Sequence, residues 1–259
     1  MEHARLLKML GLIGLVSGML IGCTSAQKSH NPAAAGADAH TSQNSLDWAG
    51  SYKGTLPCAD CPGIETVVTL SEDGQFRSQM RYMERSDEIY SESGQFTWDD
   101  TGNVVIAGGV HYQVGENKIT LLDQDGNPIT SGLQKHYVLS KLPAPGLAGT
   151  YWRLVELRGA AVADTPKPAY IRLDEQTKRV TGSGGCNVIS GGYELHEPNR
   201  LRFGQMISTK MACASGMDVE QQFLEVLGQA DSYTLNGEKL QLFRARMAPL
   251  AVMEADRLR

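Results

Sequence analysis

Short runs of alternating apolar and polar residues begin at Trp48 and continue to about residue 141, separated by turn residues. Thr66–Leu70 ends before Asp73-Gly74, a dipeptide that is a strong hairpin signal, and Gln75–Tyr82 alternates as the return strand. Further strand-like runs lie at 94–98, 104–106, 118–122 and 137–139. Seven or eight short strands without a helical window predict an antiparallel meander that curls into a barrel or sandwich.

A second β-rich region follows residues 143–146, Pro-Ala-Pro-Gly, which have the composition of a stiff, exposed joint. Tyr170–Leu173 and Arg200–Phe203 alternate like strands, and Asn236-Gly237 predicts a hairpin. Met217–Gly228 has apolar residues at 219, 223, 226 and 227, the spacing of one face of an α-helix that ends near its glycine. We therefore expect a mainly β protein with two small antiparallel barrel-like domains, at 45–141 and 148–257, joined by a linker at 142–147. The second domain is expected to contain one α-helix.

The first residues have the pattern of an export signal. Arg5 and Lys8 precede an apolar stretch at 9–21 that is too short for a comfortable membrane span. The stretch ends in Leu-Ile-Gly-Cys23, which resembles a bacterial lipobox and implies a signal peptide at 1–22 and lipidation of Cys23; the alternative is an ordinary signal peptide with a chance cysteine. By resemblance to enterobacterial sorting, Thr24 favours the outer membrane. Residues 23–44 are small and polar, which predicts a flexible tether.

Composition and charge exclude some classes of function. The chain has 259 residues with 24 Lys and Arg against 29 Asp and Glu, and this slightly acidic balance argues against a nucleic-acid partner. Thr181–Gly185 is not a nucleophile-elbow motif, and its glycines lack the lysine of a phosphate-binding loop. We predict that the protein is not an enzyme.

Four cysteines remain when Cys23 is set aside, and in an exported protein they fit two disulfides. The spacing favours Cys58 with Cys61 and Cys186 with Cys213. Closing the longer span would stabilise the fold by about 3.5 kcal/mol on the chain-entropy model, so that pair is predicted to be structural. The shorter one adds little. Its loop, pinned by prolines and a glycine, suits a small disulfide, half of a soft-metal site or a redox-active dithiol.

Two family resemblances extend this picture. Residues 50–64 together with 66–70 closely resemble the N-terminal domain of NlpE-like lipoproteins, bacterial outer-membrane proteins linked to copper homeostasis and envelope stress signalling. The blocks at 149–155, 184–187, 191–193 and 208–213 resemble the META or HslJ family, heat-shock-associated envelope proteins without an assigned activity. These resemblances imply lipocalin-like barrels, an outer-membrane location facing the periplasm and a periplasmic signalling partner.

Copper is the candidate cofactor, because Cu(I) prefers thiolate and thioether ligands. Cys58 and Cys61 would supply two ligands, and a third could come from Met80, Met83, His111 or His136. A second soft cluster, formed by Cys213 with Met206, Met211 and Met217, is better explained by methionines that fill a core. The resulting hypothesis is an outer-membrane lipoprotein of the envelope stress response that senses copper or failed oxidation. The alternative is a binding or chaperone-like module for an apolar ligand or a protein client.

Overall fold

The computed structural model describes residues 40–130, 132–163 and 165–259. The predicted signal peptide, lipidated Cys23 and most of the predicted tether lie outside the described residues. Residues 40–259 form one compact unit that contains two hydrophobic cores and two disulfides. Since both cores and both disulfides lie in residues 40–259, this segment is suited to experiments in solution. Among the described residues, no helix is long and apolar enough to cross a membrane.

The first domain is a closed barrel of eight antiparallel strands, each paired with the next, and the last strand pairs with the first. The strands are β1 Gly50–Leu56, β2 Ile64–Leu70, β3 Gln75–Tyr82, β4 Tyr90–Trp98, β5 Val104–Ala107, β6 Val110–Gly115, β7 Lys118–Leu121 and β8 Val138–Lys141. A short 3₁₀ helix, Gln134–Tyr137, precedes β8. The β2–β3 turn is the predicted one, and Gly74 takes a φ of +80° that glycine adopts without strain.

The helix α1, Ser42–Ser45, covers one end of this barrel. Ser42 donates from its backbone N–H to Asn103 Oδ1 at 2.8 Å and from its hydroxyl to the Val114 carbonyl at 2.7 Å. The Trp48 ring then packs edge-on against Phe96 and Trp98. Residues 42–44 were predicted to belong to the flexible tether, and this is wrong. Hydrogen bonds to the barrel order them without the apolar residues that the sequence argument required.

The second domain is a sheet with the strand order β14-β13-β12-β11-β9-β18-β17-β16, and β10 and β15 add to β9 and β13. Backbone bonds from Tyr233 N to Asn199 O (3.0 Å) and from Leu201 N to Asp231 O (3.3 Å) link its two ends into a nearly closed barrel. The strands are β9 Tyr151–Leu157, β10 Ala160–Ala161, β11 Tyr170–Asp174, β12 Arg179–Ser183, β13 Val188–His196, β14 Arg200–Phe203, β15 Ile207–Ser208, β16 Ser232–Asn236, β17 Lys239–Phe243 and β18 Ala251–Asp256.

The helix α2, Met217–Gln229, packs on the core of the second barrel. Its predicted apolar face is the buried one, since Val219, Phe223, Val226 and Leu227 are all buried. The helix ends at Gln229, one residue past Gly228, and so close to the predicted end. The expected fold class, two barrel-like β domains with one helix in the second, is confirmed.

The two barrels meet along a seam that is rich in charged side chains. Glu254 accepts hydrogen bonds from Arg77 of the first barrel (3.2 Å) and from Arg153 of the second (2.9 Å). Lys239 pairs with Asp73 at 2.9 Å. Burial raises the pKa of the Glu238 carboxyl, even though the charge of Arg257 and a hydrogen bond from Ser51 act in the opposite direction. This seam is therefore polar, unlike the two apolar cores that it separates.

Candidate functional site: the disulfide loop of the first barrel

The loop of residues 57–63 connects β1 to β2 and contains the Cys58–Cys61 disulfide, whose Cα atoms lie 5.3 Å apart. The prolines at 57 and 62 fix φ within the loop. Gly63 lies so close to β1 that a Cβ there would collide with Thr55 Cγ2. The loop conformation thus depends on the proline and glycine positions that the sequence singles out.

Contacts at the protein surface hold this loop against the β3–β4 connection. Arg85 Nη1 lies 2.7 Å from Asp60 Oδ2, with the two side chains 53% and 66% exposed. Met83 N donates to the Gly63 carbonyl at 3.0 Å, and Cys61 Sγ lies 3.4 Å from the same oxygen. An exposed ion pair contributes about 0.2–1 kcal/mol, so the loop is held weakly beyond its own disulfide. Both cysteines are partly exposed.

The donor atoms of Cys58, Asp60 and Cys61 all lie within 4.8 Å of one another. Neither sulfur of the disulfide is a thiolate, so a metal ion could bind here only after the pair has been reduced. Of the predicted third ligands, the structure brings Met83 to this loop: its Sδ lies 3.6 Å from the position of a Cβ on Gly63. Two thiolates and a thioether form a soft donor set that suits Cu(I).

The other predicted ligands lie elsewhere. Met80 lines the interior of the barrel. His111 lies against the β7–β8 connection, with Nδ1 3.1 Å from the position of a Cβ on Gly126. His136 is in the 3₁₀ helix before β8. The sequence could not show which of the four candidate ligands lies near the disulfide loop, because the segments that carry them are distant from it along the chain.

The Cys186–Cys213 disulfide of the second barrel has a different environment. Cys186 is fully buried, and Asn187 beside it accepts hydrogen bonds from Thr209 Oγ1 and Met211 N, both at 2.8 Å. Asn187 also donates from Nδ2 to the Met211 carbonyl and from its backbone N–H to Glu220 Oε2. Sequence analysis missed these roles of Asn187 and Glu220, because a polar residue next to a cysteine gives no sign of its distant partners.

The methionines near this disulfide do not all fill a core as expected. Met206 packs on the core, but Met211 and Met217 are about half exposed, at 51% and 48%. Cys213 is bonded to Cys186, so its sulfur is not free to bind a metal. The prediction that these two methionines are core fillers is therefore wrong, because Met211, just before Cys213, and Met217, the first residue of α2, both lie at the surface.

These features define a two-barrel protein with an exposed disulfide loop on one barrel and, in the other, a disulfide between buried Cys186 and partly exposed Cys213. Residues 52–132 match the family model of the NlpE N-terminal domain, and residues 145–257 match that of the META domain. The chain thus contains a region that matches the NlpE N-terminal domain followed by one that matches the META domain, and the two resemblances noted in the sequence are confirmed.

Lipoprotein NlpE of Escherichia coli (strain K12) is 33% identical over 117 residues, which cover 41% of this chain and 49% of that protein. The 17 kDa lipoprotein of Treponema pallidum (strain Nichols) is 42% identical over 65 residues, 25% of this chain and 38% of that one. The chain thus spans about half, or less, of the length of these curated relatives. Neither name denotes an enzyme.

Two solved structures are also similar. A crystal structure described as a lipoprotein from Shewanella oneidensis is 46% identical, covers 39% of this chain and 94% of that one, and has a TM-score of 0.38. The crystal structure of the Cpx pathway activator NlpE from Escherichia coli is 20% identical, covers 56% and 82%, and has a TM-score of 0.28. Since both TM-scores are below 0.5, the description of the fold rests on the strand pairings given above.

Proposed function

We propose that this protein is a lipid-anchored protein of the bacterial outer membrane that acts in the envelope stress response, with the Cys58–Cys61 loop as its sensor. The observation that carries the proposal is the exposed disulfide loop on an NlpE N-terminal domain, held beyond its disulfide by the Arg85–Asp60 ion pair and the backbone bond from Met83. The name of the E. coli relative as a lipoprotein and its description as a Cpx pathway activator support the anchor and a signalling partner.

The chemistry of the sensor follows from the loop. A dithiol reductant would convert the disulfide to two thiols, becoming a disulfide itself, and would release the covalent link between Cys58 and Cys61. The loop would then be held chiefly by the Arg85–Asp60 pair and the backbone bond from Met83. Copper(I), held by the two cysteines with Met83, would fix the reduced loop again. A partner protein that contacts this exposed loop could distinguish these states.

The test is an anaerobic titration of Cu(I) into residues 40–259 after the accessible disulfide has been reduced and its thiols counted. We expect one Cu(I) bound tightly, no tight binding in the Cys58→Ser/Cys61→Ser double variant, and weaker binding in Met83→Leu. Met247→Leu is the matched control, since Met247 is an exposed methionine of the second barrel. Failure of the reduced wild-type protein to bind Cu(I) would reject copper sensing.

A reporter of envelope stress in cells tests the redox part separately. The double serine variant should lose the response to copper and to impaired disulfide formation. An unchanged response to both would reject the loop as a sensor, whatever the titration shows.

A further inference from the structure

A cavity of about 180 Å³ lies in the first barrel, at the end that carries the disulfide loop. Its wall is largely apolar and includes Leu56, Phe76 and Met80. The opposite end of the barrel is covered by α1 and Trp48, as described above. The cavity is therefore open at the end away from this cover.

The cavity exists because the wall between β4 and β5 is incomplete. The two strands pair only at Phe96–Trp98 with Val105–Ala107, so the first half of β4 extends beyond β5. Gly94 has no side chain, so the space beside the Phe76 ring stays open. The β5–β6 turn begins at Gly108, where a Cβ would lie only 2.6 Å from Glu92 Oε1. The glycines thus keep room beside the carboxylate.

The lining includes four polar residues, Thr66, Ser78, Glu92 and Tyr112, and the Thr66 hydroxyl already donates to the Ile64 carbonyl. Glu92 alone is charged among the described residues that line the cavity, and it lies exposed at the mouth. Tyr112 lines the cavity, is 5% exposed, and its hydroxyl has no hydrogen-bond partner among the described residues. Burial, with a smaller contribution from the Glu92 charge, raises the pKa of Tyr112 to about 12. The hydroxyl is therefore a neutral, unpaired donor and acceptor.

The loops around the mouth carry an excess of acidic residues. The only basic residues of the described parts of these loops, apart from His136, are Arg85, which is paired with Asp60, and Lys135. The acidic residues besides Asp60 are Glu84, Asp87, Glu88, Asp123 and Asp125. A negative potential over an opening attracts cations and disfavours anions.

We propose that this cavity binds a cationic amphiphile, with an apolar body inside the barrel, its charged group at Glu92 and a hydrogen bond to the Tyr112 hydroxyl. An apolar cavity of about 150 Å³ holds benzene, so a body of about six carbons fits this one. The cavity lining does not include the cysteines of the disulfide loop. Leu56, which lines the cavity, is the last residue of β1 and directly precedes that loop.

The experiment uses residues 40–259 with ¹³C-methyl-labelled methionine and three six-carbon probes: hexylammonium, hexanol and hexanoate. We expect hexylammonium to shift the Met80 methyl signal saturably while Met253, buried in the second barrel, stays unchanged. Hexanoate should bind about fivefold more weakly, which corresponds to the upper value for an exposed ion pair. No saturable shift with hexylammonium, or equal binding of hexanoate, would overturn the proposal.

Variants assign the contributions of single groups. Glu92→Gln should reduce the preference for hexylammonium over hexanol to the part that the acidic loops contribute, and Tyr112→Phe should bind both probes about fivefold more weakly. Ala107→Leu, which fills the cavity, should bind neither. Glu116→Gln, an exposed glutamate in the β6–β7 turn, is the matched control and should behave as wild type. A Glu92→Gln protein with an undiminished preference for hexylammonium would overturn the assigned role of Glu92. The Cys58→Ser/Cys61→Ser protein should bind as wild type, which separates this proposal from the sensor.

Discussion

The two disulfides should differ both in ease of reduction and in contribution to stability. On the chain-entropy model, loss of the Cys186–Cys213 link, with its separation of 27 residues, costs about 3.5 kcal/mol of unfolding free energy, and loss of the three-residue Cys58–Cys61 link costs about 1.6 kcal/mol. Thiolate attack requires access to a sulfur. Both sulfurs of the first pair belong to partly exposed residues, whereas in the second pair Cys213 is partly exposed and Cys186 is fully buried, so that pair offers fewer points of attack.

The assay is native reduction of residues 40–259 with increasing dithiothreitol, followed by alkylation and mass spectrometry of the labelled cysteines. Cys58 and Cys61 should be labelled first, at reductant concentrations that leave Cys186 and Cys213 unlabelled. Urea unfolding of the Cys58→Ser/Cys61→Ser and Cys186→Ala/Cys213→Ala variants gives the two free energies. Simultaneous reduction of both pairs, or equal destabilisation of the two variants, would refute the argument from burial and loop length.

Three further predictions concern the barrels. Asn187→Ala should lower the free energy of unfolding by about 3 kcal/mol in urea, because its three side-chain hydrogen bonds with Thr209 and Met211 are lost, whereas Asn236→Ala at the exposed end of β16 should cost much less. Because the pKa of Glu238 is raised in the folded protein, the contribution of this residue to stability should fall as pH rises from its ordinary pKa near 4.5 towards the raised value. Urea unfolding of the wild type and of Glu238→Gln across this pH range isolates the contribution. Parallel curves of unfolding free energy against pH would contradict the prediction. Trp48→Ala should cost about 3 kcal/mol by removing the aromatic cover of the barrel end, and a loss below about 1 kcal/mol would show that α1 covers the end alone.

Local signals in the sequence were enough for much of the fold. The alternation of Gln75–Tyr82 and the Asp73-Gly74 turn correspond to β3 and its hairpin, and the spacing of apolar residues in α2 identified its buried face. These features depend on neighbours along the chain. The pairing of β8 with β1 and of β18 with β9 depends on residues about a hundred positions apart, so no local pattern predicts it.

The candidate site likewise combines local features that the sequence indicates with long-range contacts that it does not. The prolines, glycine and cysteines of residues 57–63 are adjacent in sequence, so a pinned loop could be predicted. Arg85 and Met83 reach this loop only because β2 and β3 pair, and each is exposed in a connection without a motif of its own. Glu92 and Tyr112 face one cavity because short β5 leaves β4 partly unpaired, which depends on strand lengths that alternation alone does not determine.

The polar seam between the barrels affects how the molecule would respond to mechanical tension. Within the described residues, five buried side-chain nitrogens and oxygens lack a hydrogen-bond partner, and four of them belong to seam residues: Arg77, Arg153, Glu238 and Arg257. The fifth, in Gln79, is on the same face of β3 as Arg77. When the seam opens, water can satisfy all five atoms, which offsets part of the broken ion pairs. Tension on the chain should therefore part the barrels before either unfolds, so that the protein lengthens in a discrete first step while each barrel keeps its core.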